Sequence, residues 1–243
     1  MTTLWFLHGV GGGHAAWNRQ LAWFSRLGYR CVAWDQPGYG DAPPVEPYTL
    51  EAVAGELRRR IGDESVVLVG HSMGGFVAQD AYARYPDRVR ALALCFTSPA
   101  FAGGSEFAAQ FVAARLGPLD AGKSMAETAA GLMPTMRGSK SDPAGLAQAE
   151  RIMAAIAPET YRKAVSMLTT FDRRADLPNI AVPTLLVAGG DDRTAPPAVM
   201  EKMAQRIPGA EYVCLEGCGH LGPMDQPEAF NAVLGDFLRR HSL

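Results

Sequence analysis

Six short, mostly apolar runs constrain the fold of this 243-residue chain more than any other feature of its sequence. The runs cover residues 4–7, 30–34, 65–69, 91–96, 184–188 and 211–215. Their apolar residues are continuous rather than alternating, which is typical of parallel strands that are covered on both faces. The sequence therefore predicts a mostly parallel sheet between two layers of helices.

Helical patterns separate most of these runs. A helix over 15–27 is expected to stop at Gly28, and one over 49–61 at Gly62, because glycine favours the backbone conformation just past a helix end. Three further helices are expected at 76–85, 197–207 and 227–240. Alternation of strand and helix implies right-handed crossovers, so we predict an α/β fold with a doubly wound sheet.

The interval 99–175 breaks this alternation, because it contains helical patterns and no strand pattern. The S-x-x-E spacing at 124–127 is that of a capping box, and Asp-Pro at 142–143 is typical of a helix start. We interpret the interval as a helical cap inserted after the fourth strand. Residues 1–98 and 176–243 are then left as the core domain.

The predicted cap is rich in methionine. Its methionines are Met125, Met133, Met136, Met153 and Met167. Because methionine is unbranched and adaptable, these side chains either line a substrate pocket or pack the cap helices together. Packing between helices is the favoured interpretation.

Charge gives little indication of a macromolecular partner. The formal net charge is −2 at pH 7, and no large cluster of Lys or Arg suggests binding to nucleic acid or to an anionic membrane. Three arginines at 58–60 are interpreted as the solvated end of a helix, where cations favour the helix dipole. We therefore expect a small-molecule substrate, with no nucleic-acid partner and no membrane partner.

The sequence also predicts a compartment. No apolar stretch approaches the roughly 18 residues of a membrane span, and the first residues lack the basic lead and apolar length of a signal peptide. We therefore expect a cytoplasmic protein whose cysteines are buried, reduced thiols. The cysteines are Cys31, Cys95, Cys214 and Cys218. Their spacing predicts no metal site, and no cofactor is expected.

The segment most informative about chemistry is the G-x-S-x-G pattern at 70–74, which follows the third apolar run and precedes a helix. A serine on such a sharp strand-to-helix turn has a strained backbone and an exposed hydroxyl. Gly70 and Gly74 keep neighbouring side chains away from it. Ser72 is therefore a candidate nucleophile, and the alternative is a glycine-rich turn without chemistry.

A serine hydroxyl is a weak nucleophile at neutral pH and needs a general base. Of the five histidines, His220 follows the last strand, on the edge where parallel sheets bind their ligands. His8 is expected to hold the first loop by hydrogen bonds, and His71 to point away from the Ser72 hydroxyl. The other two lie beside a glycine-rich loop and in the C-terminal tail. His220 is therefore the candidate base.

The base must be held in the right tautomer by an acid. The strand at 184–188 brings Asp191 and Asp192 to the same edge, and the residues alone do not separate these two. The order Ser, Asp, His along the chain differs from that of the chymotrypsin and subtilisin types and matches the hydrolase order.

When a serine attacks a carbonyl group and takes over its acyl part, the carbonyl oxygen becomes negatively charged and needs hydrogen-bond donors. The glycine-rich loop at 9–13 can turn backbone N–H groups toward a reacting oxygen. We predict that the amide of Val10 acts with that of Met73, which lies at a helix N-terminus. The alternative is a phosphate-binding loop, but the segment lacks the lysine of a P-loop and the spacing of a dinucleotide fingerprint.

Together these motifs resemble the α/β-hydrolase superfamily over nearly the whole chain apart from the cap. The resemblance rests on H-G-x-G-G from His8, D-Q-P-G-Y-G from Asp35, G-H-S-M-G-G from Gly70, G-x-x-D ending at Asp192, and G-H ending at His220. It favours Asp192 over Asp191 as the acid. It also implies that Asp35 has a structural role in a turn.

Within the superfamily the chain is similar to small esterases, including 3-oxoadipate enol-lactonases, and the run at 219–230 supports this. The leading hairpin of the family is missing, so the sheet is expected to have a shortened N-terminal edge. His71 stands where C–C bond hydrolases of the superfamily usually carry asparagine, which weakens that alternative. A serine nucleophile also fits poorly with haloalkane dehalogenases, whose nucleophile is an aspartate.

The residues and the resemblance predict a serine hydrolase that cleaves a small carboxylic ester or lactone through an acyl-enzyme. Alternatives on the same residues are C–C bond hydrolysis and cofactor-free perhydrolysis. An alternative of another class is a ligand receptor that turns over very slowly. Substrate choice is expected to depend on the cap. Arg137 or Lys140 could bind a substrate carboxylate there, although a solvated loop charge is the favoured interpretation of both.

Overall fold

The computed structural model describes residues 1–101 and 104–243, with residues 104, 105 and 107 described by their backbone only. Within this part of the chain the sheet contains β1 (Thr3–Leu7), β2 (Arg30–Trp34), β3 (Val66–His71), β4 (Val89–Cys95), β5 (Thr184–Gly189) and β6 (Glu211–Leu215). Every neighbouring pair is parallel. The predicted strands are therefore confirmed, each within two residues of its expected bounds.

The order of the strands across the sheet is β2-β1-β3-β4-β5-β6. From β1 the chain crosses to β2 at one edge, then returns to β3 on the other side of β1 and continues outward to β6. The loops after β1 and β3 therefore leave the sheet at a reversal of winding direction. Such a reversal opens a crevice at the carboxyl ends of the strands, where parallel sheets bind their ligands.

Helices cover the sheet on both faces, since α1 packs beside α10 and α2 beside α3. The helices are α1 (Asn18–Arg26), α2 (Leu50–Ile61), α3 (Met73–Arg84), α4 (Gly104–Asp120), α5 (Met125–Met136), α6 (Pro143–Ala154), α7 (Pro158–Leu168), α8 (Pro197–Ala204), α9 (Gly222–Asp225) and α10 (Pro227–Arg240). This doubly wound arrangement agrees with the predicted fold class.

Local signals explain the bounds of α2. The Thr49 hydroxyl accepts a hydrogen bond from the Ala52 amide at 3.2 Å, and Gly62 ends the helix with a φ of 66°. The arginines at 58–60 form its last turn, where Glu56 accepts hydrogen bonds from two of them at 2.7 Å. This is the solvated helix end that the sequence predicts.

Helix α3 begins at Met73, three residues before the predicted start at 76. The prediction missed the first turn because it contains Gly74 and Gly75, and glycine is a poor helix former. Their glycine character is required by packing instead. A Cβ on Gly74 would lie 2.0 Å from the Leu7 carbonyl oxygen, and one on Gly75 would lie 2.6 Å from the Thr97 hydroxyl.

The segment 99–175, between β4 and β5, contains helices α4 to α7. Backbone hydrogen bonds of 2.8 Å join 99–101 to 171–173, so the chain leaves and rejoins the sheet at one place. Residues 102 and 103 of the predicted cap lie outside the described residues. We call residues 99–175 the helical segment below.

Two predicted helix starts in the helical segment are confirmed. The Ser124 hydroxyl accepts a hydrogen bond from the Glu127 amide at 3.2 Å, and the Glu127 carboxylate accepts one from the Ser124 amide at 2.9 Å. The Asp142 carboxylate accepts a hydrogen bond from the Ala144 amide at 2.9 Å. Both N-caps satisfy backbone donors that a helix leaves without an internal partner.

The cysteines differ from one another in exposure. Cys95 and Cys218 are buried free thiols, whereas Cys31 is half-buried and Cys214 is exposed. Cys31 and Cys214 lie on β2 and β6, the two edge strands, so their side chains have fewer neighbours. The prediction of buried thiols is therefore wrong for Cys214. Across residues 1–101 and 104–243, no helix combines the length and the apolarity needed to cross a membrane.

Candidate active site

Ser72 lies on a strained turn between β3 and α3. Its φ of 52° and ψ of −116° are rare for a residue with a side chain. Hydrogen bonds hold this conformation, because the Ser72 amide donates to the Cys95 carbonyl at 2.9 Å and the Ser72 carbonyl accepts from the Gly75 amide at 2.8 Å. The Thr97 hydroxyl donates to the same carbonyl at 2.8 Å. The turn predicted from the G-x-S-x-G pattern is therefore present.

The first glycine of the pattern is also required by close packing. A Cβ on Gly70 would lie 2.4 Å from the carbonyl oxygen of Gly74. Real Cβ atoms do not approach a backbone atom so closely. Strand β3 and the start of helix α3 therefore meet closely, while Gly74 and Gly75 restrict α3 against β1 and Thr97.

An unbroken chain of hydrogen bonds joins Ser72, His220 and Asp192. The His220 Nε2 atom lies 3.0 Å from the Ser72 Oγ atom, and the His220 Nδ1 atom lies 2.8 Å from Asp192 Oδ2. Because a carboxylate only accepts hydrogen bonds, Nδ1 carries the proton of the neutral imidazole. Nε2 then accepts the hydrogen bond from the serine hydroxyl. The residues that form this chain come from three distant loops at one edge of the sheet.

The structure separates the two neighbouring aspartates. Asp192 is buried, and its second oxygen accepts hydrogen bonds from the amides of Thr194 and Ala195 at 2.8 and 2.9 Å. Asp191 is exposed and accepts hydrogen bonds from the amide and the hydroxyl of Ser139, both at 2.7 Å. Asp192 is thus the aspartate in contact with His220, as the resemblance implied.

Three hydrogen bonds that sequence reasoning did not predict hold the backbone of His220 and of its neighbour Gly219. The His220 amide donates to the Met136 carbonyl at 2.8 Å, and the His71 Nε2 atom donates to the His220 carbonyl at 2.7 Å. The Gly219 amide donates to the Asp225 carboxylate at 2.8 Å. The glycine-flanked run around His220 hinted at close packing here. No residue type could indicate the role of the Met136 carbonyl.

Two further histidines near the site are buried and neutral. Burial lowers the pKa of His71 to about 3, and the neighbouring His220 adds to that effect. Burial likewise lowers the pKa of His8 to about 4. The His8 Nδ1 atom donates to the Gly9 carbonyl at 2.8 Å, and its Nε2 atom accepts from the Gln36 amide at 3.1 Å. His8 therefore fixes the first loop, as predicted.

The two histidines set aside by sequence reasoning both pair with carboxylates. The His14 Nδ1 atom and the His14 amide bind Asp35 at 2.6 and 2.7 Å, which fits the structural role implied for that aspartate. His241 is not loose in the tail, because its Nε2 atom lies 2.7 Å from Glu211. Neither histidine contacts Ser72.

The loop after β1 lies against Ser72. A Cβ on Gly9 would be only 3.2 Å from the Ser72 Cβ atom, so the backbone next to Val10 passes directly beside the serine. The Tyr39 hydroxyl fixes this loop by donating to the Val10 carbonyl at 2.9 Å. Within the part of the chain that the structure describes, no hydrogen bond from the amide of Val10 or of Met73 is found. Both amides are available to an added oxygen atom.

A largely apolar cavity opens above Ser72 and His220. It holds about 570 Å³ of empty space, its open mouth included. Its walls come from the loops at the sheet edge and from the helical segment. The helical segment contributes Leu132, Met133, Met136, Ala149, Met153 and, on α4 and α7, Arg115 and Tyr161.

The cavity answers two questions that the sequence left open. Met133, Met136 and Met153 line it, whereas Met125 and Met167 are buried away from it, so the methionines of the helical segment serve both purposes. Arg137 and Lys140 are exposed and lie outside its walls, and Lys140 pairs with Glu216 at 3.2 Å. Arg115, which sequence reasoning did not single out, is the arginine that lines it.

No group of three or more His, Cys, Asp or Glu side chains in the described ranges is arranged to hold a metal ion. The polar groups around Ser72 are instead engaged with one another. What the arrangement can do chemically is move a proton from the Ser72 hydroxyl to His220 while Asp192 holds the ring.

Comparison with known proteins places the chain in a family. The sequence model of the alpha/beta hydrolase family matches residues 6–233. A pimeloyl-[acyl-carrier protein] methyl ester esterase of Neisseria meningitidis serogroup A is 31% identical over 211 residues, which span 84% of this chain and 66% of that protein. A protein of the same name from Aromatoleum aromaticum is 31% identical over 255 residues, which span 96% of each chain.

Solved structures agree with this placement. The enol-lactonase from Burkholderia xenovorans LB400 superposes with a TM-score of 0.85 at 27% identity, over 98% of this chain and 91% of its own. Its fold is thus shared over almost the full length of both chains. This chain belongs to the alpha/beta hydrolase family.

Proposed function

We propose that this protein is a serine hydrolase that cleaves small carboxylic esters or lactones through an acyl-enzyme intermediate. The observation that carries the proposal is the hydrogen-bond chain from the Ser72 hydroxyl through His220 to Asp192. The names of the relatives, esterases and an enol-lactonase, support an ester bond as the target.

In the acylation step the Ser72 Oγ atom attacks the substrate carbonyl while His220 Nε2 takes its proton. Asp192, fixed by two amides and buried, stabilises the imidazolium that forms. The amides of Val10, in the loop beside Ser72, and of Met73, directly after the strained turn, donate to the tetrahedral oxyanion. His220 then gives the proton to the leaving alcohol.

In the deacylation step a water molecule takes the place of the alcohol. His220 removes its proton, the hydroxide attacks the acyl carbon, and Ser72 is released with its proton restored. A lactone follows the same route, but its alcohol stays attached to the acyl group. No cofactor takes part in any of these steps.

We further propose that the helical segment is the cap that selects the substrate. Leu132 and three of its methionines, Met133, Met136 and Met153, line the cavity that holds Ser72, so a small and mainly apolar acyl group fits there. A net charge of −2 and a narrow apolar cavity both favour a small molecule over a nucleic acid.

The direct test compares two serine variants on p-nitrophenyl butyrate. Ser72→Ala is expected to lower kcat on the order of 10⁴-fold, because oxyanion stabilisation alone remains. Ser166→Ala removes an exposed serine on α7 and is expected to leave kcat unchanged. Equal activity of Ser72→Ala and the wild type would overturn the proposal.

The alternatives on the same residues are separated by substrate. A vinylogous diketone tests C–C bond hydrolysis, and acetate with hydrogen peroxide tests perhydrolysis. Ester hydrolysis is expected to be faster than either. A slow ligand receptor would label at Ser72 with a fluorophosphonate but turn over below about 10⁻³ s⁻¹, far from the rates typical of enzymes.

A further inference from the structure

Arg115 is a charged residue in the otherwise uncharged wall of the cavity above Ser72. The other side chains of the described cavity wall are apolar or neutral, and none is an Asp or a Glu. The Arg115 Nη1 atom is buried without a hydrogen-bond partner among the residues the structure describes. Arg115 forms no ion pair in the same set. A buried donor atom without an acceptor is costly, so an acceptor that reached Nη1 would be stabilised there.

The Arg115 side chain is half-buried, and an aromatic ring lies against its guanidinium. Its Cζ atom lies 5.1 Å from the centroid of the Phe111 ring, in cation–π contact. Both residues are on α4, one turn apart, so the helix itself sets this geometry. The contact occupies one face of the guanidinium and leaves its N–H edge available.

Tyr161 is a second unpaired donor in the same wall. Its ring is fully buried, and its hydroxyl lies beside the Arg115 guanidinium but donates no hydrogen bond within the described chain. Burial raises the pKa of Tyr161, while the nearby Arg115 opposes that effect. The phenol is therefore protonated at neutral pH and can donate to an anion beside the guanidinium.

We propose that Arg115 and Tyr161 bind a carboxylate at the far end of the substrate's acyl group. The inference rests on the proposed function, because it places the ester carbonyl at Ser72. The substrate class is then a monoester of an aliphatic dicarboxylic acid, or a lactone that carries a carboxylate. The apolar wall between the two ends contacts the methylene chain.

A carboxylate fits these donors better than other anions. A guanidinium edge and a phenol can each donate to one of the two oxygens of a carboxylate. The rest of the wall offers little to a larger, doubly charged phosphate, because thioether and aliphatic side chains surround the pair.

The test uses matched esters of equal length. Monomethyl adipate carries a terminal carboxylate, and methyl hexanoate ends in a methyl group instead. Monomethyl succinate, glutarate and pimelate extend the series, so that one chain length spans the distance from Ser72 to Arg115. The wild type is expected to prefer one monoester over its neutral match by about 10- to 100-fold in kcat/KM, the range of a buried charge-assisted hydrogen bond.

Three variants locate the effect. Arg115→Met is expected to remove this preference and to leave kcat/KM for methyl hexanoate within about threefold of the wild type. Tyr161→Phe is expected to remove a smaller part of it. Arg137→Met, which deletes an arginine outside the cavity, is the control and should leave the preference intact. Hydrolysis of methyl hexanoate also reports correct folding of each variant.

Failure of this inference is distinct from failure of the proposed function. If the wild type hydrolyses methyl hexanoate but prefers no monoester, or if Arg115→Met slows both substrates equally, the carboxylate site is wrong and the hydrolase stands. If no ester is hydrolysed, the proposed function fails. Calorimetric titration with adipate then decides separately, because binding to the wild type and not to Arg115→Met supports the site, and equal or absent binding overturns it.

Discussion

The edge of the sheet and the helical segment above it are built in opposite ways. At the sheet edge, the side chains of Ser72, His220 and Asp192 bind one another, and Gly70 and Gly74 are required by close backbone contacts. In the helical segment, the cavity wall includes three methionines and Arg115, whose Nη1 atom has no hydrogen-bond partner among the described residues. In the proposed function, the edge carries out the reaction and the segment selects which molecule undergoes it.

The largest expected effect concerns the acid at the sheet edge. Asp192→Asn keeps the shape of the side chain but removes the charge that fixes the His220 tautomer, so kcat should fall on the order of 10⁴-fold. Asp191→Asn changes an exposed neighbour that binds Ser139, and its kcat should stay close to that of the wild type. Steady-state kinetics on p-nitrophenyl butyrate measures both. Equal losses in the two variants would mean that the structure assigns the acid wrongly.

Substitution of one glycine at the sheet edge and one in the helical segment tests whether the first region is packed more tightly than the second. Gly74→Ala would put a Cβ 2.0 Å from the Leu7 carbonyl oxygen, so the free energy of unfolding should fall by about 3 kcal/mol or more. Gly131→Ala lies on α5, where a Cβ meets nothing within 4 Å, and should raise stability by roughly 1 kcal/mol through helix propensity.

Urea denaturation of the two glycine variants provides the measurement. A stable Gly74→Ala protein with wild-type activity would contradict the close contact between α3 and β1. A destabilised Gly131→Ala protein would contradict the looser packing on the exposed side of the helical segment.

The last expected effect is a pH dependence that originates at the sheet edge. The buried His8 and His71 have lowered pKa values, about 4 and about 3, against 6.5 for a free histidine. The unfolded chain therefore takes up these protons first as the pH falls. The stabilisation is complete above pH 6.5 and is lost progressively below it, by about 1.4 kcal/mol per pH unit for each histidine.

Substituting one of these histidines measures its contribution to the pH dependence of the free energy of unfolding. Asparagine at position 71 cannot take up the proton. Between pH 6 and pH 4, the free energy of unfolding of His71→Asn should therefore fall less steeply than that of the wild type, by about 1.4 kcal/mol per pH unit. Urea titrations at several pH values measure the slopes. The helical segment contains no histidine, so an unchanged slope would place the acid sensitivity elsewhere in the chain.

The sequence predicted the sheet edge well for a physical reason. Continuous apolar runs mark buried parallel strands, and glycines mark the turns whose packing forbids a side chain, so the loops of Ser72 and His220 could be placed on one edge. Residue types alone did not separate Asp191 from Asp192, because that choice depends on which side chain the turn after β5 directs inward. The glycines after Ser72 likewise hid the true start of α3 at Met73.

The helical segment was harder to predict in detail. Its helix caps were correct, because Ser124 and Asp142 act locally. The importance of Arg115 depends on where α4 packs relative to Ser72, and no local pattern carries that information. The same limit applies to Met136, whose carbonyl, rather than its side chain, holds the His220 backbone.

The central claim, that His220 activates Ser72 across the sheet edge, is tested most directly by the site and rate of covalent labelling. Wild-type protein treated with a fluorophosphonate should gain one adduct on the tryptic peptide that contains Ser72, as judged by mass spectrometry. The same reaction in His220→Ala should be slower by about 10³-fold or more, because the general base is lost. Labelling at another residue, or labelling of Ser72 at the same rate in both proteins, would contradict the account.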